Sequence, residues 1–276
     1  MDPFHGPAWH FLRDGALGAN AIAALETLIS PLGNSLNSDI HLAVNTYLAW
    51  VESAAVQLGT YMEDRAAVQQ LYTERYWRIR AIDDATVRPF PLLAEEVAWQ
   101  KDRLIGIRDQ LRKYVAMMVV PHTGVALVCD TNVYMHGRLF PQLSWDKAAE
   151  SSHALILVPL VVVDELDDIK NRGGENGKWA RRVIKEMEAH APDGSGLGPF
   201  AVRRGVTLQF LDEPRGHRRL QRPDDEIVRQ AQYFSALTES EVRIVTLDRG
   251  MLLRAQSFEV SFLRLPSDFQ RETEDA

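Results

Sequence analysis

Cysteine is almost absent from this chain: one residue, Cys129, among 276. An internal disulfide is excluded, and a lone thiol inside an apolar run reads as a buried, inert side chain rather than a reactive one. No apolar run approaches the roughly eighteen residues of a membrane-spanning helix, so no membrane partner is expected. Residues 1–13 carry Pro, His and Asp where a secretory signal has a basic start and an apolar core, which makes a cytoplasmic protein the expectation. The eight histidines show no zinc-like spacing, and there is no Gly-x-x-x-x-Gly-Lys-Ser/Thr phosphate loop. Positive charge is outnumbered, 31 Lys and Arg against 38 Asp and Glu, and the net of −7 argues against binding nucleic acid by bulk charge. That sum still allows local basic clusters. What is plentiful is apolar surface: 46% hydrophobic with 25% charged is a globular composition, and the length is enough for two domains.

Residues 1–120 read as an all-α domain of four or five helices, punctuated at Ser30, Pro31, Leu32 and Gly33, near Gly59, and at Pro89 and Pro91. From Ile40 apolar residues recur at Val44, Tyr47, Leu48, Val51, Ala55 and Leu58, and Val68, Tyr72, Tyr76 and Ile79 repeat the spacing. A last helix after Pro91 places Val97, Leu104, Leu111 and Met118 seven apart, with Leu93, Ile107 and Tyr114 as companions and Gln100 interrupting. A bundle packed on its own chain explains that stripe, and so does a seam with a second copy or another protein. Trp50, Trp77 and Trp99 read as core or interface residues rather than base-stacking platforms. No chemistry is legible in this domain.

Pro121, His122, Thr123 and Gly124 form the junction, because a helix does not continue through them and strand character follows at once. The second domain, 124–270, alternates strand and helix. Its strand candidates are 125–130, 154–158, 206–211, 242–247 and 260–265, and its helix candidates are 161–170, 178–189, 225–236 and 251–255. That order predicts an α/β fold, a mostly parallel sheet of about five strands with helices on both faces. Residues 192–199, rich in glycine, read as a flexible loop. The first strand, Val-Ala-Leu-Val-Cys, has no polar alternation, as expected of a strand covered on both faces, and it delivers Asp130 to the edge where ligands of parallel sheets sit.

Other acids follow in a pattern. Asp164, Glu165, Asp167 and Asp168 open the helix after the second strand, Arg222-Pro223-Asp224-Asp225-Glu226-Ile227 opens another, and Ile244-Val245-Thr246-Leu247-Asp248-Arg249 ends a strand. Acids favour helix N-termini for electrostatic reasons alone, so each fragment by itself is unremarkable. Together they resemble the PIN-domain nucleases: Asp130-Thr131-Asn132-Val133 is similar to the family's first acid motif, Glu165-Leu166 to its second, Asp224-x-x-Ile227 to its third, and Thr246-x-Asp248-Arg249 to its fourth. The resemblance covers about 124–266. From Val158-Pro159-Leu160 through Glu165-Leu166-Asp167, and at Lys178-Trp179-Ala180-Arg181-Arg182, it looks most like the PIN domains of PhoH-type proteins and of RNA-surveillance endonucleases.

The resemblance implies an endoribonuclease that cuts single-stranded RNA and leaves a 5′ phosphate. Asp130, Glu165, Asp224 and Asp248 would hold Mg²⁺ or Mn²⁺, Asp225 would be a neighbour of Asp224 or its substitute, and Thr131, Asn132 and Thr246 would support them. Hard divalent cations suit an all-oxygen set of this kind, and they supply the charge neutralisation and activated water that phosphodiester hydrolysis needs. Candidate RNA contacts are Lys170, Arg172, Lys178, Arg181 and Arg182 after the second acid, and Arg215, Arg218, Arg219 and Arg222 before the third. The solvated-surface reading of these cations stays open. So do a non-cleaving PIN-like module that binds RNA or protein and a toxin-type ribonuclease, though short toxin-type proteins lack the helical domain. A haloacid-dehalogenase phosphatase would need a second Asp where Asn132 stands.

Overall fold

The computed structural model describes residues 12–13, 16–32, 38–63, 65–83, 85–117, 124–191, 196–213, 217 and 219–271. The chain forms two compact units, 1–116 and 117–276. Among the described residues no helix is long and apolar enough to cross a membrane.

The first unit is helical: α1 (Gly18–Leu32), α2 (Ile40–Tyr61), α3 (Arg65–Gln69), α4 (Glu74–Arg80) and α5 (Pro89–Met117). Asp39 starts α2 by accepting the amides of His41 at 2.9 Å and Leu42 at 3.3 Å, and Thr73 starts α4 through the Tyr76 amide. Gly59 does not break a helix but lies in the last turn of α2. Pro89 and Pro91 both fall in the first turn of α5, where a missing N–H leaves no intrahelical bond unmade, so the helix begins before Pro91 rather than after it. Along α5, Leu93, Val97, Leu104, Ile107, Leu111 and Tyr114 are buried, and Met118 lies outside the described residues. The interruption at Gln100 is a buried polar network. Glu96 accepts Tyr47 Oη at 3.1 Å, Thr73 Oγ1 at 2.8 Å and Gln100 Nε2 at 2.9 Å, while Arg103 donates to Ala67 O at 3.1 Å. These bonds join α5 to α2, α3 and the start of α4.

The second unit is a six-stranded sheet: β1 (Gly124–Cys129), β2 (His153–Pro159), β3 (Phe200–Arg203), β4 (Val206–Leu211), β5 (Val242–Thr246) and β6 (Ser261–Arg264), in the order β3-β4-β2-β1-β5-β6. Every pairing is parallel except that of β3 with β4. The sequence reading of about five strands missed β3. It is four residues long, alternates half-buried with exposed positions, and turns back on β4 at Gly205, whose φ of +75° suits glycine. β1 and β2 are buried beyond their first residues, on both alternations of the pleat, as helices on both faces require.

The helices are α6 (Thr131–His136), α7 (Trp145–Ala148), α8 (Leu160–Arg172), α9 (Gly174–His190), α10 (Pro223–Thr238) and α11 (Arg249–Ser257). α6 and α7 are too short to show a periodicity and were not expected. α8 passes almost directly into α9 at Gly173 and Gly174, with φ of +78° and +69°. Of the expected loop at 192–199, residues 196–199 are irregular and 192–195 lie outside the described residues. The chain moves from β1 to β2 and β4 on one side, then returns through α10 to β5 and β6 on the other. Its direction therefore reverses between β1 and β5, whose carboxyl ends face the crevice where open α/β sheets place ligands.

Candidate carboxylate site

β1 ends at Cys129, and Asp130 turns the chain into α6. Its Oδ1 accepts the Val133 amide at 2.9 Å, capping the helix, and its Oδ2 accepts the hydroxyl of Thr246, the last residue of β5. Only 4% of Asp130 is exposed. Burial pushes its carboxyl up to about 6; the bonds from Thr246 and Val133 work against that rise, and the charges of Asp224 and Asp248 add to it. Three acids from three elements thus share one electrostatic neighbourhood at the reversal point.

Thr246 is fully buried and also accepts the Asp248 amide at 2.9 Å, so one hydroxyl ties the first acid to the backbone of the fourth. Asp248 is exposed and caps α11 by accepting the Gly250 amide at 2.8 Å. Glu165 lies in α8, where the Thr131 hydroxyl donates to its Oε2 at 2.5 Å. Thr131 follows Asp130 directly, which joins the second acid to the first. Asp224 and Asp225 stand behind Pro223 in the first turn of α10, and both face Arg254 of α11: Nη1 donates to Asp225 Oδ1 at 2.7 Å, and Nε lies 3.5 Å from Asp224 Oδ2. Asn132 is exposed in the first turn of α6.

Among the described residues, no three His, Cys, Asp or Glu side chains close into an arrangement that would hold a metal ion. Two carboxylates 4 Å apart repel by about 4 kcal/mol at an effective dielectric of 20. Each acid has instead turned to a partner on the protein: a helix amide, a threonine hydroxyl or Arg254.

The candidate RNA contacts are divided. Lys170 pairs with Asp167 and Lys178 with Glu175, each at 2.6 Å. Arg181 reaches Lys170 O at 3.5 Å, and Arg182 lies 5.6 Å over the ring of Trp179. Arg219 binds Glu213 at 2.7 Å and Asp164 at 2.6 Å, bridging to the helix of the second acid. Arg172 and Arg222 are exposed, and Arg215 and Arg218 lie outside the described residues. The sequence reading missed Arg254 and Glu226. Glu226 is fully buried and gathers His217 Nε2 at 2.6 Å, Gln230 Nε2 at 2.8 Å and the Leu220 amide at 2.9 Å. A cation in the helix that follows the fourth acid was the one trace of Arg254; nothing marked Glu226 as the buried member of its acidic run.

The family model of the PIN domain matches residues 127–264, a span that contains all four acids. The chain belongs to the PIN-domain family. Within that match Asp130 follows the PIN domain's first strand and Asp248 its fifth. Among solved structures, one match is a domain of a functionally unknown protein from Methanocaldococcus jannaschii DSM 2661, 18% identical, covering 55% of this chain and 97% of that one with a TM-score of 0.36. At that score the likeness carries no argument. A comparison with curated proteins gave no match.

Proposed function

We propose that the PIN domain is a metal-dependent endoribonuclease acting on single-stranded RNA, with Asp130, Glu165, Asp224 and Asp248 as the ligands of Mg²⁺ or Mn²⁺ and Asp225 beside them. The observation that carries this is Asp130: a buried carboxylate, raised to about 6, that feels the charges of Asp224 and Asp248 at the sheet's reversal point. A purely structural cap needs no such neighbours. The residues fit a hard divalent cation, because the donors are all oxygens and their repulsion is what a cation relieves.

A bound divalent ion supplies a neutralised phosphate and a more acidic water. The chain's own residues do the rest. The Val133 amide and the Thr246 hydroxyl fix both oxygens of Asp130, Thr131 holds Glu165 beside it, and Thr246 holds the backbone of Asp248. Lys170, Arg172, Lys178, Arg181, Arg182, Arg219 and Arg222, with Arg215 and Arg218, then serve the phosphates on either side of the cut. The test is cleavage of single-stranded RNA in Mn²⁺, with the 5′ end of the product identified. Loss of cleavage in chelator and in Asp130→Asn is expected; undiminished cleavage in excess chelator removes the mechanism.

A second reading draws on the protein partners each acid already has, a helix amide, a threonine hydroxyl or Arg254: a PIN-like module that binds RNA or protein without cutting. The same assay separates the two, since that module retains RNA in Mn²⁺ and leaves it intact.

A further inference from the structure

We propose that Arg254 is the built-in counter-cation of the carboxylate site and competes with a divalent ion for Asp224 and Asp225, so that it sets the site's metal affinity; this rests on the metal-site reading above. Arg254 lies on α11, the helix that Asp248 caps, and reaches to the first turn of α10. Its Nη1 is 2.7 Å from Asp225 Oδ1 and its Nε 3.5 Å from Asp224 Oδ2. That Nε is buried and makes no hydrogen bond. The guanidinium is thus attracted to two carboxylates while one of its donors stays unsatisfied. A buried donor without an acceptor is costly, which makes this a contact that can be exchanged for a better one.

The direction of the effect follows from charge. In the metal-free protein Arg254 neutralises adjacent acids on one helix turn, so it stabilises the fold. Toward a divalent ion it acts twice in opposition, by occupying Asp224 and Asp225 and by like-charge repulsion. An arginine with only a structural role stabilises the protein and leaves metal affinity unchanged. A preorganising arginine raises it.

The experiment uses the full chain, Arg254→Met, which keeps an apolar stem, and Arg254→Lys, which keeps the charge but not the forked reach. Mn²⁺ alone is titrated by calorimetry, and thermal melts are run in chelator. The methionine variant is expected to melt lower in chelator and to bind Mn²⁺ roughly tenfold more tightly, the release of a partly exposed ion pair and of one repelling charge. The lysine variant should fall between it and the wild type. A lower melt with unchanged or weaker Mn²⁺ binding overturns the proposal. If the methionine variant does not fold, the lysine variant decides: tighter binding supports the competition, equal affinity ends it. Mn²⁺ binding by the methionine variant alone supports the proposal at its strongest. If all three proteins fail to bind, the metal-site reading falls, and the competition falls with it.

Discussion

Asp130 caps α6 and is at the same time a buried charge, and the two roles respond differently to substitution. An asparagine caps a helix about as well as an aspartate, so Asp130→Asn keeps the Val133 bond. It loses a charged acceptor for the Thr246 hydroxyl, which costs about 1 to 2 kcal/mol. Against that stands the raised carboxyl. Between its ordinary value of 3.8 and about 6, the folded metal-free protein keeps a proton that the unfolded chain has released. Stability must therefore fall as pH rises through that window, by about 1.4 kcal/mol for each unit, and the loss is complete above about 6. The variant has no such proton. In chelator above pH 6 it should be more stable by roughly 1 kcal/mol, or about 2 to 4 °C in Tm, and the difference should cross zero and reverse as pH falls toward 4, because about two units at 1.4 kcal/mol each exceed it. Millimolar Mn²⁺ should reverse the order, because a ligand of the native state stabilises the protein that binds it. Melts of both proteins across pH, with and without Mn²⁺, check this; equal destabilisation of the variant in both conditions leaves Asp130 as a cap only.

The first turn of α10 depends on an element that joins it from outside. Glu226 accepts the Leu220 amide, His217 and Gln230, and so holds the segment leading into α10 against the turn that carries Asp224 and Asp225. Burial acts to raise the Glu226 carboxyl, but these three bonds hold it below its ordinary value of 4.5. A depressed carboxylate contributes stability above that value and loses it as pH falls through the folded one. Glu226→Gln should lower stability near pH 7 by about 2 kcal/mol, since hydrogen bonds to a buried charge are the stronger kind, and the gap should narrow below pH 4.5. Urea unfolding at pH 7 and pH 4 measures it; a gap that is the same at both places the effect in packing instead of charge. This element was hidden in the sequence for the reason β3 was: both are short segments that show no period of their own and are fixed by specific contacts with a neighbouring segment. β1 and β2 were legible because a strand covered on both faces must be apolar throughout, β4 because Val206, Leu208 and Leu211 still outweigh Thr207 and Gln209, and α8 to α11 because their apolar faces recur with the helical period. Asp130, Asp224 and Asp248 were legible as motifs at a strand end or helix start, whereas Glu165 stands a turn further into α8 than expected, because the helix begins at Leu160 with an apolar first turn. The acids' partners were not legible. Thr246 could be named only as a supporting residue, and Arg254, packed across from α10, had no spacing to betray it.

For the molecule as a whole, the proposed ribonuclease reading requires RNA to approach a chain of net charge −7 whose proposed site is itself acidic. Binding then rests on local cations, and the structure shows that these differ in what they must give up. Arg219 is already held by Glu213 and Asp164, whereas Arg222 is exposed at the start of α10. Partly exposed pairs contribute about 1 kcal/mol or less, so a phosphate can displace those carboxylates. Yet the salt dependence of binding comes from counterions released from the RNA and from ions that screened the protein's own charges. An arginine neutralised by carboxylates must break those pairs first, and salt weakens them as well as the phosphate contact. Replacing Arg215, Arg218 and Arg219 together with alanine should weaken binding across RNA sequences and flatten the plot of log affinity against log salt, by roughly 0.7 for each lost phosphate contact on a single strand. Cleavage at saturating RNA should change less. Singly, Arg219→Ala should flatten the slope less than Arg222→Ala. Binding of a labelled single strand in chelator at several salt concentrations measures all three. A triple variant with the parental slope makes these arginines an ordinary solvated loop. An Arg219→Ala slope as flat as that of Arg222→Ala would mean that the bridge from Arg219 to the helix of Glu165 is already open in solution before RNA binds.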